Sequence, residues 1–364
     1  MVKILIDIGH PAHVHLFREV INELKKNGHE IFTIVKDIQS AKQLLNHYGI
    51  DFFDIGGKKD SIFQKGLSQL KYNWRIFNFV RKYHINIGVG SSVHLAHVSK
   101  LTSMKSIILD DDDDEAEPLY AKYVHPFCDT LLSPDSLKGK RKKKETIYYS
   151  SFHELSYLHP NRFEPNTDSL KKIDLKQGDP FFVLRFNAFQ AYHDKGIKGI
   201  SLENKLFLVD FLKNYGKIFI TTEREIEPEL INHELKIPPE KIHSIIYYAK
   251  MLIGDSQTMT SEAAVLGTPV IKCNSFAGKL SVPNELENKY KLCYSFTPEN
   301  FKEMLKKIRE LLDVPDLKKE WQKRRKIMLS EKIDLTAFLV WLIENYPSSV
   351  DTMKKNHDYQ WKFK

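Results

Sequence analysis

Val2-Lys-Ile-Leu-Ile-Asp-Ile8, Leu16-Phe-Arg-Glu-Val-Ile-Asn-Glu-Leu-Lys-Lys26 and His29-Glu-Ile-Phe-Thr-Ile-Val35 follow one another at the start of the chain, and their order decides the fold. The first and third are short aliphatic runs of strand length. The middle one repeats Leu16, Val20 and Leu24 at helical spacing and is stopped by Asn27-Gly28. Strand, helix, strand commits a chain to a parallel sheet with right-handed crossovers. The alternation continues with helices expected over 41–48, 66–83 and 94–101, an extended piece at 51–55 and strands at 87–89 and 106–109. Pro160, Pro165, Asn166, Gly178 and Pro180 then mark a linker. Beyond it a second series opens, with strands at 181–184, 217–221, 251–253 and 269–272 and helices over 202–215, 225–235 and 260–266. Amphipathic helices are expected over 298–312 and 317–328, then a helix over 335–346 and a poorly ordered polar tail from Pro347. The expected division is an N-terminal α/β domain (1–165), a linker (166–180), a second α/β domain (181–334), and a C-terminal helix with tail (335–364). Two doubly wound parallel-sheet domains of this kind are expected to face each other across a cleft, where the carboxyl ends of their strands gather ligands.

Composition narrows the classes. The 364 residues are 42% hydrophobic and 12% aromatic, which is enough for large cores and excludes wholesale disorder. Cys128, Cys273 and Cys293 are odd in number and far apart, so neither a disulfide scaffold nor a zinc ribbon fits. No apolar run approaches the length of a membrane span and the opening has no signal-peptide pattern, so a cytoplasmic protein is expected. The net charge of +8 is modest. Its densest basic cluster, Lys138, Lys140, Arg141, Lys142, Lys143 and Lys144, reads as a solvated loop or as a contact for an anionic substrate or membrane. No aromatics interleave with these cations, so nucleic acid is not an expected partner. P-loop, Rossmann dehydrogenase, serine hydrolase and zincin signatures are all missing from the sequence.

Met251-Leu-Ile-Gly-Asp-Ser-Gln-Thr-Met-Thr-Ser-Glu-Ala-Ala-Val-Leu-Gly-Thr-Pro-Val270 is the most informative stretch for function. A buried strand ends at Gly254-Asp255, a hydroxyl-rich loop follows, and a helix is expected from near Thr260. Helix-start N–H groups and dipole favour an anion there. Ser256, Thr258, Thr260 and Ser261 add hydroxyls, and Glu262, expected in the first turn, is placed to accept from ribose hydroxyls. Helix capping by Thr260 or Ser261 is the plainer alternative. Arg185, at the end of strand 181–184, can clamp a diphosphate, and His193-Asp194 reads as an oriented pair or a turn.

Two further clusters fall after expected strands. His10, His13 and His15 flank Pro11, and their spacing is compatible with metal ligation, with capping and packing, or with a proton-transfer role in a cleft. Pro11 is expected to interrupt a regular helix, which weakens a shared ligand face. The run Asp110-Asp-Asp-Asp-Asp-Glu115 reads as a solvated loop, an acceptor-binding or general-base group, or a cation site.

These segments resemble those of GT-B-fold sugar-nucleotide enzymes, including UDP-N-acetylglucosamine 2-epimerase and the lipid II-forming N-acetylglucosaminyltransferase. The chain as a whole is similar to a family of little-characterised bacterial and archaeal GT-B-like proteins. Its matching segments are Asp7 to His15, Glu154 to Pro160, Arg185 to Asp194, Thr221 to Arg224, Lys241 to His243 and Asp255 to Pro269. The resemblance implies a GT-B architecture of two Rossmann-like domains, with the donor on the second. It implies diphosphate contacts at Ser256 and Ser261, ribose on Glu262, base contacts around Ile242-His243, and Arg185 at the strand-end position of the epimerases. Gln257-Thr258 replaces the Gly-Gly or Ala-Gly of better-known relatives. On the first domain it implies His13 as the base, with His10 and His15 in reserve and Asp112, Asp114 and Glu115 as the acidic candidates. The expected activity is transfer of a sugar from a UDP-sugar to a glycan or lipid-linked acceptor in cell-surface polysaccharide synthesis, at the inner membrane face or in the cytoplasm. An epimerase- or hydrolase-like reaction and a non-catalytic nucleotide-sugar-binding protein are the alternatives. No cofactor and no metal are expected.

Overall fold

The structure is a computed structural model that describes residues 1–56, 62–186, 199–222 and 225–364, with backbone alone over 62–69. His193, Asp194, Glu223 and Arg224 lie outside the described residues. The chain forms two compact units, one made of Met1–Arg162 with Lys332–Lys364 and the other of Phe163–Glu331.

In the first unit, the described strands are β1 (Lys3–Ile8), β2 (Glu30–Val35), β3 (Phe53–Asp54), β4 (Ile87–Gly90), β5 (Lys105–Leu109), β6 (Thr130–Pro134) and β7 (Thr146–Tyr149). They form one parallel sheet in the order β3-β2-β1-β4-β5-β6-β7. Buried Ile4, Ile6 and Ile8 point to one face with Phe17, Val20 and Leu24 of the helix Pro11–Lys26; Leu5 packs on the other with Ile76, Leu95 and Val98. This is the two-faced burial that makes parallel strands nearly continuous apolar runs. Gly28, at φ +83°, supplies the left-handed turn that returns the chain to β2. Strands β6 and β7 were not anticipated, because their short runs sit among dense charges.

The C-terminal segment departs from expectation. It leaves the second unit at Lys332, and the helix Leu335–Glu344 packs on the helix Pro11–Lys26 in the first unit's core. The tail is not loose. It forms the helix Ser348–Lys355 and a 3₁₀ turn over His357–Phe363, with Phe363 against Phe338 and the Gln360 side-chain oxygen accepting from the Ser150 N–H at 2.6 Å. Aromatic residues spaced among polar ones are enough to dock it.

In the second unit, β8 (Phe181–Phe186), β9 (Lys217–Thr222), β10 (Met251–Gly254), β11 (Val270–Cys273) and β12 (Cys293–Phe296) make a parallel sheet in the order β12-β11-β10-β8-β9. The expected linker 166–180 belongs to this unit. The helix expected over 225–235 is, among the described residues, a 3₁₀ turn at Pro228–His233, and Leu235 donates its N–H to the Ile220 carbonyl at 2.7 Å. Pairing with β9 outweighs helical propensity there.

Candidate functional site

Strand order reverses between β8 and β10 in the second sheet. Ligands of open α/β sheets bind outside the carboxyl ends of the strands at such a reversal. Arg185 lies in register between Thr221 of β9 and Gly254 of β10. A Cβ on Gly254 would stand 2.3 Å from the Arg185 carbonyl oxygen, so only glycine lets these strand ends run so close. Arg185 Nη1 donates to Thr221 Oγ1 at 3.1 Å. The next loop is fastened from β11, where buried Asn274 donates to the Asp255 carbonyl at 2.8 Å. Asn274 gave no signal in the sequence.

Ser256 caps the helix Gln257–Val265, its Oγ accepting from the Met259 N–H at 3.4 Å. The helix therefore starts three residues before the expected Thr260. Three roles change with it. The Thr260 hydroxyl turns back on the carbonyl oxygens of Ser256 (2.7 Å) and Gln257 (2.8 Å), so its proton is held inside the helix. Ser256, not Thr260 or Ser261, is the cap. Glu262 falls in the second turn, not the first. The Ser256 proton, the Thr258 hydroxyl and the open N–H groups of the first turn remain for an anion.

Glu262 and His243 form a buried pair, with His243 Nε2 at 3.0 Å from Glu262 Oε1. His243 lies in the helix Ile242–Tyr248, edge-on to Phe163, with Ile242 as the first residue of that helix. The pair therefore fixes the carboxylate expected to meet a ribose.

In the first sheet the order reverses between β1 and β4, and the histidines follow β1. His10 caps the helix by accepting from the Ala12 N–H at 3.2 Å, and Pro11 takes the first helical position. Its missing N–H would have been unpaired there in any case, so Pro11 begins the helix instead of interrupting it. His13 Nδ1 accepts from the Gly9 N–H at 3.3 Å, which puts the proton of the neutral ring on Nε2. Lost hydration, then the charges of His10 and His153, push the His13 imidazole down to about 3, so it stays neutral. His15 is buried, with its ring 5.4 Å from that of Tyr157 and 6.0 Å from that of Tyr48. The three histidines thus do three different things and share no ligand face.

The acidic run divides as well. Asp110 and Asp114 are buried, and Arg141 from the basic cluster reaches both with Nη1, at 3.0 and 2.7 Å. Arg141 is thus no solvated loop residue: its Nε also donates to Ser133 Oγ at 2.9 Å. His125 Nε2 meets Asp110 at 2.8 Å. Burial would raise the Asp114 carboxyl, yet the Lys142 N–H and Arg141 hold it below its ordinary value. Asp114 therefore acts as a tether and is not free to serve as a base. Glu115 is exposed. Asp112 is exposed too, and the hydration it loses, together with the charges of Asp111, Asp110 and Glu117, pushes its carboxyl up. Among the described residues, two groups are compact enough for a cation: Asp110–Asp114–His125 and Asp110–Asp111–Asp112. In the first, the Arg141 guanidinium already supplies the positive charge.

Sequence reasoning missed one pair. His153, just after β7, places Nδ1 at 3.2 Å from Asp111 Oδ2. Asp111 belongs to the acidic run already considered, but His153 was not a candidate and the pairing was not legible, because 42 positions separate the two and only the β5-β6-β7 order brings their loops together.

Residues 2–343 match a family described as "Protein of unknown function (DUF354)". The "Uncharacterized protein MJ0665" of Methanocaldococcus jannaschii is 22% identical over 289 residues, covering 74% of this chain and 80% of that one. Among solved structures, UDP-GlcNAc 2-epimerase from Neisseria meningitidis bound to UDP-GlcNAc superposes at a TM-score of 0.66 and 12% identity, covering 98% of this chain and all of that one. The Streptomyces glycosyltransferase SsfS6 complexed with thymidine diphosphate superposes at 0.62 and 12% identity, covering 94% and 99%. The fold is that of the GT-B glycosyltransferases and the 2-epimerases: two parallel-sheet α/β domains.

Proposed function

The chain belongs to the DUF354 family, and we propose that it is a metal-independent glycosyltransferase taking a sugar from a nucleoside diphosphate, UDP first among the candidates, to a hydroxyl acceptor. The observation that carries this reading is the convergence at the β8/β10 reversal. Arg185, the Gln257–Val265 helix start, Ser256 and Thr258 supply donors for a diphosphate, and the His243-braced Glu262 supplies an acceptor for ribose hydroxyls. Negative charge grows on the departing diphosphate, and preorganised donors aimed at growing charge are the strongest lever available to such a site. A structural neighbour holds UDP-GlcNAc and another thymidine diphosphate, in support of a nucleotide-sugar ligand here. The acceptor is proposed as a glycan or a lipid-linked hydroxyl in cell-surface polysaccharide synthesis.

A second reading is epimerase- or hydrolase-like chemistry on the same ligand. The observation favouring it is the epimerase likeness, together with carboxylates at the carboxyl edge of the first sheet. Incubation with UDP- and TDP-sugars, with and without glycan and lipid-linked acceptors, separates the readings. Transfer needs an acceptor; release of free sugar without one indicates hydrolysis; a C2 epimer in the NMR spectrum indicates epimerisation. Activity is expected to survive exhaustive EDTA, because the helix start and Arg185 offset the diphosphate charge. Loss in EDTA with rescue by Mg²⁺ or Mn²⁺ would move the Asp110–Asp112 cluster into the mechanism.

A further inference from the structure

Residues 61–109 include seven lysines and arginines and not one acid, although the 364-residue chain has 47 acids. The stretch opens with the helix Ile62–Tyr83. Tyr72, Ile76 and Val80 of that helix turn inward and are buried in one cluster with Leu95 and Val98. Helical spacing then puts Leu70, Trp74 and Arg81 in one outward row, flanked by Lys71 and Lys82. Leu70 is 65% exposed and Trp74 67%, and the three cations are exposed as well.

The same layer continues with two shorter helices, Val93–Ser99 and Pro118–Tyr123. His94 Nδ1 lies 2.8 Å from Asn73 Oδ1, which ties the first of them to the helix Ile62–Tyr83. His97 Nε2 donates to the Tyr123 carbonyl at 2.8 Å, and its ring is 5.1 Å from that of Phe127. Leu101, Tyr123 and Phe127 are exposed on this layer. Large apolar side chains left in water beside clustered charge of one sign mark a surface that a partner covers.

We infer that this layer of the first unit docks on an anionic lipid bilayer, with Leu70 and Trp74 entering the headgroup region and Lys71, Arg81 and Lys82 meeting lipid phosphates. Indole and lysine suit that boundary, because each joins an apolar body to a polar end. No described helix is long and apolar enough to cross a membrane, so the contact is peripheral. Charge selects the occupant. An acid-free face attracts an anionic surface and repels a second copy of itself. Nucleic acid would meet the same cations but offers no apolar phase for Leu70 and Leu101. Glu115 and Glu117 precede the helix Pro118–Tyr123, which leaves the centre of the face on the helix Ile62–Tyr83. The denser basic cluster at 138–144 has no apolar side chain among its residues, and its Arg141 is tied to Asp110 and Asp114. Docking does not depend on which reaction the protein carries out.

Sedimentation of the full chain with vesicles tests the assignment. Binding is expected on vesicles of phosphatidylcholine and phosphatidylglycerol in equal parts. It should be about tenfold or more weaker on phosphatidylcholine alone and should fall as salt rises. Leu70→Ser with Trp74→Ser, and separately Lys71→Glu with Lys82→Glu, should each weaken it about tenfold or more. Their melting temperatures should stay near wild type, because all four side chains are exposed. Lys138→Glu with Lys144→Glu, in the other basic cluster, should change binding by less than about threefold. Vesicles should shift tryptophan emission to the blue in wild type, and the shift should be lost in Trp74→Phe, which still binds. No binding to the anionic vesicles at low salt, equal binding to the neutral ones, or a loss confined to the Lys138 and Lys144 variant overturns lipid docking. So does a blue shift that persists unchanged in Trp74→Phe. A vesicle-free dimer that Trp74→Ser dissociates would give the face to a second copy, and tighter capture by single-stranded RNA than by vesicles would give it to nucleic acid; either result overturns the assignment too.

Discussion

Glu262 turns one carboxylate oxygen to His243 and sits in a helix whose start is three residues earlier than its own sequence suggests. Its neighbour Thr260 has its hydroxyl tied to backbone carbonyls. The two residues should therefore respond differently. Glu262→Ala should weaken UDP binding by about 1.5–3 kcal/mol, the loss of a charged partner for ribose hydroxyls, whereas Thr260→Val should leave affinity within about threefold. Calorimetry on the folded variants checks both, and an equal loss in the two would return Thr260 to the phosphate site. The sequence made the residue types at strand ends legible, because a carboxyl edge follows directly from a strand assignment. Their partners were not legible. Glu262 with His243, and Asp111 with His153, meet only through tertiary packing.

At the scale of elements, the turn after β5 shows how a charge run can mislead. Six consecutive acids and a later cluster of cations look like two solvated loops. Strand β6, between the two runs, and β7, just after the second, hold the loop that carries Arg141 back to Asp110 and Asp114, where all three side chains are buried. Taking away one partner from such a network leaves a buried charge uncompensated. Arg141→Met should cost about 3–5 kcal/mol in denaturant unfolding, and a loss under about 1 kcal/mol would show that water reaches the carboxylates. The pH sign follows from Asp114, whose carboxyl is held below its ordinary value in the fold. Its contribution is present above the unfolded pKa near 3.8 and is lost as pH falls through the folded value, so the gap between wild type and Arg141→Met should close in acid. The helix after β1 departs from the sequence expectation for a simpler reason: Pro11 does not interrupt it but occupies its first position, where proline is a start signal.

For the molecule as a whole, the double βαβ series was readable from periodicity alone, and the return of the last 33 residues to the first unit was not. A boundary in sequence cannot show which core an apolar helix such as Leu335–Glu344 will choose, since either sheet offers a face for it. That return makes the first unit discontinuous and the second a single insert, Phe163–Glu331, holding every proposed donor contact. Function should divide along the same line. Arg185→Ala should weaken UDP binding about tenfold or more and raise KM, because its charge meets the diphosphate in ground and transition states alike. His13→Ala should leave UDP affinity unchanged and lower kcat by about 10²-fold, since an Nε2–H donor acts on the reacting oxygens only as charge develops. His13→Gln, which keeps an N–H donor but cannot take up a proton, should recover part of that loss. If His13→Gln is as impaired as His13→Ala, the imidazole serves by taking up a proton and not as a donor. If Arg185→Ala binds UDP like wild type, the β8/β10 reversal is not the donor site.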